Sequence, residues 1–177
     1  MATCVAGILR ERVKRLILVE GLGPLSQPAE KVTELMRDSI QQWNSLKTKK
    51  SPVYQNREEA VRARHFAGKL KKSSVETLVA RGLGENTDGL VWRSDPRLRI
   101  KSRLYLSEAQ ILQMIKDITA QVLVIEAEDT DTRRWVDLLR SRLEYVKNLD
   151  HRILPGGHHL HLDEPQSVAS AIKDFLE

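Results

Sequence analysis

Apolar positions form two kinds of pattern along this chain. Lys14-Arg15-Leu16-Ile17-Leu18-Val19-Glu20 and Ala120-Gln121-Val122-Leu123-Val124-Ile125-Glu126 are short, nearly continuous runs, the first closed by Gly21 and Gly23-Pro24. Such runs predict strands buried on both faces, as in a parallel sheet. Elsewhere apolar residues recur at helical spacing. Examples are Val32, Leu35, Met36, Ile40 and Trp43; Val75, Leu78 and Val79 before Gly82; and Ile111, Leu112 and Ile115. After the second run, Trp135, Leu138, Leu139 and Leu143 fit one helix face, and Val168, Ile172, Phe175 and Leu176 fit another that begins near Pro165. Asn56 with Glu59, Ser73 with Glu76 and Ser107 with Gln110 have the spacing of capping boxes.

A third strand is expected through Tyr145 and Val146 or through His151 to Leu154, just before Pro155-Gly156-Gly157. Gly82 to Pro96 carries turn chemistry and reads as a loop or short ribbon in which Leu90-Val91-Trp92 could pair. Met1 to Leu9 predicts a buried helix ending in charge at Arg10-Glu11-Arg12. It opens without a capping residue, so further sequence is expected upstream. The pattern is therefore α/β: parallel strands interrupted by a long, mostly helical insertion.

Composition narrows this reading. With 177 residues, 41% hydrophobic and 30% charged, one globular domain with a moderate core is expected. No apolar run approaches the roughly 18 residues of a membrane span, and no leader pattern opens the chain, so a cytoplasmic protein is expected. Cys4 is the single cysteine and sits among Val5, Ala6 and Ile8, which predicts a buried thiol and a poor nucleophile. The net charge of +5 is gathered at Arg10 to Arg15, Lys47 to Lys50 and Arg62 to Lys72. Glu11, Glu58 and Glu59 are interleaved or adjacent, and aromatic residues are only 5%, so these clusters predict solvated helix faces and no nucleic-acid partner.

The strongest chemical signal is Pro155-Gly156-Gly157-His158-His159-Leu160-His161-Leu162-Asp163-Glu164-Pro165, between a strand and the last helix. Glycines permit a sharp turn that presents His158 at the C-terminal edge of the sheet, where open α/β sheets place their sites. A neutral imidazole there can take a proton from a hydroxyl and return it, if a carboxylate fixes its tautomer. The 158, 159, 161 spacing of the histidines does not match a helical His-x-x-x-His pair, so no metal is expected and no cofactor is implied. His159 and His161 are expected to pack around the loop.

Gly157-His158 through Asp163 and Pro165 resembles the ending of α/β-hydrolases of the epoxide-hydrolase and haloalkane-dehalogenase type. Leu78 to Arg81, Gly89-Leu90-Val91-Trp92 with Asp95 to Leu98, and Gln166 to Ser170 further resemble the serine hydrolase-like branch. The resemblance implies the C-terminal part of an α/β-hydrolase fold: residues 1–22 and 119–177 as partial core and 23–118 as a helical cap. It implies His158 as triad base and Asp129, just past the second core strand, as the acid. The usual glycine of that acid motif is Glu126 here, which leaves Glu128 and Asp131 as stand-ins. Glu20, at the end of the first strand, is the fallback acid, since some hydrolases take theirs from that position.

The implied activity is hydrolysis of an ester or similar bond in a small-molecule substrate, with Trp43, Tyr54, Phe66 or Trp92 either lining an apolar pocket or packing in a core. No oligomeric state is implied. No Gly-x-Ser-x-Gly nucleophile elbow occurs anywhere in the sequence. The chain alone is therefore expected to be inactive. The competing reading is a truncated, non-catalytic remnant that acts at most as a binding module.

Overall fold

In the computed structural model, which describes residues 1–46, 48, 51–68, 70–130 and 133–177, the two apolar runs become β1 (Arg15–Val19) and β4 (Gln121–Ala127). They are parallel neighbours, paired from Arg15↔Gln121 to Val19↔Ile125. The third strand, β5 (Leu149–Leu154), pairs with β4, also parallel, giving the order β1-β4-β5. Tyr145 and Val146, the other candidates for that strand, lie in the turn before it. β4 is buried on both faces because helices cover each side of the sheet, which is why its sequence runs apolar without alternation.

The two faces build separate cores. Leu16, Leu18, Val122 and Val124 pack with Ala6 of α1 (Ala2–Leu9), Ile111 and Ile115 of α5 (Glu108–Lys116) and Leu139 of α6 (Arg133–Leu143). Leu123, Ile125 and Ala127 pack with Leu160 of α7 (Leu160–Asp163) and with Val168 and Ala171 of α8 (Pro165–Leu176). Ser107 caps α5 with the complete reciprocal box to Gln110. Gly7 lets α1 approach α5 closely, since a Cβ there would stand 2.4 Å from Met114 O. Only one face of α1 is buried: Met1, Val5, Ile8 and Leu9 are exposed, and Cys4 is half-buried where a buried thiol was expected.

The chain divides into two compact units, Met1–Ala29 with Tyr105–Glu177, and Glu30–Leu104. Helix α5, grouped with the insertion on sequence grounds, belongs to the sheet unit. The inserted unit holds α2 (Val32–Ser45), α3 (Arg57–Phe66), α4 (Lys72–Gly82) and the antiparallel ribbon β2 (Leu83–Asn86) and β3 (Gly89–Trp92). Asn56 caps α3 by accepting from Glu59 N–H, and the Glu59 carboxylate reaches back one residue further, to Gln55 N–H. Ser73 caps nothing. Helix α4 starts earlier, at Lys72, so Ser73 lies inside its first turn and its carbonyl accepts from Thr77.

Among the described residues no helix is long and apolar enough to cross a membrane. Phe66 is 96% exposed. Trp43 carries the Arg103 guanidinium over its ring at 5.0 Å, and Trp92 donates its indole N–H to Tyr54 Oη at 3.3 Å.

Candidate active site

Glu20 follows β1 directly, and the backbone turns there: its φ is +56°, a left-handed value uncommon outside glycine. Its N–H still donates to Ile125 O at 2.8 Å, so the turn begins from a fully paired strand end. Its carbonyl accepts from the Trp135 indole at 2.7 Å. Beyond it, the buried Arg142 donates to Leu22 O at 2.6 Å and Pro24 O at 2.9 Å and pairs with Glu108. Those bonds hold the loop after Glu20, and the Arg142 guanidinium keeps the Glu108 carboxyl below the usual carboxylate range.

The Glu20 side chain is almost fully buried, 6% exposed, and its oxygens are met by three donors. Oε1 accepts from Ala127 N–H at 2.6 Å; Oε2 accepts from the Thr130 hydroxyl at 2.6 Å and lies 2.9 Å from His158 Nδ1. None of these hydrogen-bonding partners is a lysine or arginine. A carboxylate can only accept, so the imidazole proton sits on Nδ1 and the lone pair on Nε2. The His158 side chain is 52% exposed, which leaves that second nitrogen accessible to a reacting group.

His158 is held at this place by the turn after β5. Gly156 has φ +120°, which a side chain would strain, and its carbonyl accepts from Asp129 N–H at 3.0 Å. Leu160 N–H donates to Gly157 O at 2.8 Å, and Leu160 itself is wholly buried, so the loop is anchored immediately beyond His158.

The carboxylate expected beside His158 from sequence, Asp129, is not the one that meets it. Asp129 is exposed, and among the described residues no hydrogen bond joins its carboxylate to His158. The turn after β4 is tied by its backbone to the end of β5, through Glu128 N–H to Leu154 O and Asp129 N–H to Gly156 O, and the Asp129 side chain is left in solvent. Glu128 is exposed as well, and Asp131 lies outside the described residues. The carboxylate that reaches the imidazole is that of Glu20, the fallback. The His158 and His159 rings meet at a tilt and those of His159 and His161 edge to face, with centroids 5.1 Å and 6.0 Å apart, and among the described residues no group of three or more His, Cys, Asp or Glu is arranged to hold a metal ion.

Thr130, Trp135 and the backbone N–H of Ala127 were not found from sequence, because the only signal for them is spatial. Nor was a second carboxylate–imidazole pair on the same sheet: Glu126, 1% exposed, accepts from Arg140 Nε and Nη2 at 2.9 and 2.6 Å and lies 2.9 Å from His151 Nε2.

A parallel α/β sheet thus carries a carboxylate-held imidazole at its C-terminal edge, where open α/β sheets place their sites. No protein-family profile matches the chain. It is 25% identical over 190 residues to a serine hydrolase-like protein of Dictyostelium discoideum, covering 99% of this chain and 52% of that one. It is 26% identical to a serine hydrolase-like protein of Danio rerio, covering 57% of it. The chain thus spans about half the length of these curated relatives.

Among solved structures, a hypothetical protein of Pseudomonas aeruginosa superposes with TM-score 0.86 at 33% identity, over 98% of this chain and 62% of that one. A thioesterase domain from the curacin biosynthetic pathway superposes with TM-score 0.76 at 22% identity, over 98% of this chain and 62% of that one. The chain thus has the α/β-hydrolase fold of these neighbours, and serine hydrolase-like proteins are among its homologues.

Proposed function

We propose that the polypeptide to which these residues belong hydrolyses an ester or a related acyl bond in a small molecule through an acyl-enzyme. His158 is the general base and Glu20 the carboxylate that orients it. The observation that carries this reading is the 2.9 Å contact between Glu20 Oε2 and His158 Nδ1, with the rest of the imidazole exposed. In such a reaction Nε2 takes the nucleophile's proton as the acyl bond forms and returns it to the leaving group, while the carboxylate stabilises the imidazolium in between. The names of the relatives support the same class, and the inserted unit Glu30–Leu104 is assigned the role of cap.

No Gly-x-Ser-x-Gly occurs within the 177 residues, so on this reading the nucleophile and its oxyanion hole come from polypeptide outside them. The same fact favours the non-catalytic reading, and one assay separates the two. The chain alone is expected to hydrolyse no short or long acyl ester above a His158→Ala control. A longer polypeptide from the same coding sequence, including a Gly-x-Ser-x-Gly elbow, is expected to turn such esters over, with kcat falling about 10⁶-fold on His158→Ala. Stop codons in place of the elbow would leave the binding-module reading. Turnover by the isolated chain that is lost in His158→Ala would place a nucleophile inside it.

A further inference from the structure

We infer that Thr130 is a positioning residue of this site: its hydroxyl donates to the same Glu20 oxygen that receives the His158 Nδ1–H, and so limits how strongly the carboxylate holds the imidazole. The inference rests on the reading of Glu20 and His158 as an acid–base pair. Its basis is geometric. Thr130 Oγ1 lies 2.6 Å and His158 Nδ1 2.9 Å from Oε2, whereas Oε1 is occupied by Ala127 N–H at 2.6 Å.

Two restraints keep the carboxylate from swinging once one donor is lost. Oε1 is fixed by a backbone group of β4, and the Glu20 backbone is fixed by Ile125 O and the Trp135 indole. Removing the hydroxyl therefore changes the electron density on Oε2 more than its position. An oxygen with one donor fewer is the better acceptor and favours the charged imidazolium more. The other titratable groups around the imidazole are His159, with its ring centroid 5.1 Å away, Glu128 and Asp129 on the adjoining turn, and Asp163 and Glu164 on the following segment.

The experiment is an NMR titration of the His158 ring, assigned among the five imidazoles with a His158→Gln variant, in the 177-residue chain. Thr130→Val is expected to raise the His158 midpoint by about half a pH unit or more and to move the Nδ1–H resonance, because a hydrogen bond to a charged group carries that order of energy. Thr130→Ser, which restores the hydroxyl, is expected to return the midpoint to the wild-type value. Thr130→Ala, which removes the hydroxyl together with the methyl, gives the same reading if the valine variant does not fold.

A midpoint unchanged or lowered in both Thr130→Val and Thr130→Ala overturns the inference. So does a Thr130→Ser variant that behaves like valine, since the effect would then follow shape and not the donor. Glu20→Gln separates the two levels. If it leaves the midpoint where it was, the pair itself fails. If it lowers the midpoint while Thr130→Val does nothing, only the role of Thr130 fails.

Discussion

Glu20 and Glu126 lie at or near the C-terminal ends of neighbouring strands, both buried and both 2.9 Å from an imidazole nitrogen. Their surroundings differ in what balances the charge. Glu126 receives two hydrogen bonds from the Arg140 guanidinium, whose pKa this contact raises, and its imidazole partner, on β5, is 23% exposed at the side chain. Glu20 is met by an amide, a hydroxyl and an imidazole that is half exposed. A buried carboxylate already paired with guanidinium gains little from a second cation, whereas one held by neutral dipoles gains most when its imidazole becomes charged. The carboxylate–histidine distance is the same in both pairs, and what separates them is the permanent cation on Glu126.

The sharpest way to break this comparison is to remove each histidine from the longer, elbow-containing polypeptide. His158→Ala is expected to cut kcat about 10⁶-fold and His151→Ala to change it only a few-fold. Equal losses would mean that the two pairs are not distinguished by their cation.

Stability should rank them the other way. Glu126→Gln removes the counter-charge of Arg140 and a partner of His151, and is expected to cost about 2 kcal/mol by urea unfolding; Glu20→Gln, with neutral donors around it, should cost less. A reversed order would show Glu20 to be the structural member. A smaller effect is expected from Trp135→Phe, which deletes the indole donor to Glu20 O and should cost about 1 kcal/mol while leaving the Arg140–Glu126 contact intact.

A third carboxylate of the cation-paired kind, Glu108 on Arg142, is read through its pH dependence. Its folded-state pKa is depressed by the guanidinium, so its contribution is present above the ordinary carboxylate value, about 4.3, and is lost as pH falls through the lower folded value. Glu108→Gln is therefore expected to flatten the acid limb of the stability–pH curve and to leave its slope near neutrality unchanged. Thermal unfolding between pH 3 and 7 would measure it. An unaltered acid limb would remove Glu108 from the cation-paired class.

What the sequence determined by itself was whatever depends on neighbours along the chain. The uninterrupted apolar runs specified β1 and β4 and their parallel burial, the Ser107 and Gln110 spacing specified the start of α5, and a glycine turn after a strand singled out His158. The exposed face of α1, the place of α5 on the sheet, the start of β5 and the carboxylate that meets His158 were decided only in three dimensions. That carboxylate shows why most clearly. Glu20 and Asp129 both stand just past strand ends, so their local sequence cannot rank them.

The ranking comes from one backbone dihedral and from donors 107 and 110 residues away, Ala127 N–H and the Thr130 hydroxyl, which strand pairing brings to Glu20 while the turn tied to Gly156 leaves Asp129 in water. Strict alternation from Leu16 and Leu18 would have set Glu20 on the sheet face of Glu126, two buried carboxylates side by side at a cost that the left-handed turn at Glu20 avoids. Such an effect is a property of two strands in contact, and neither strand's sequence contains it.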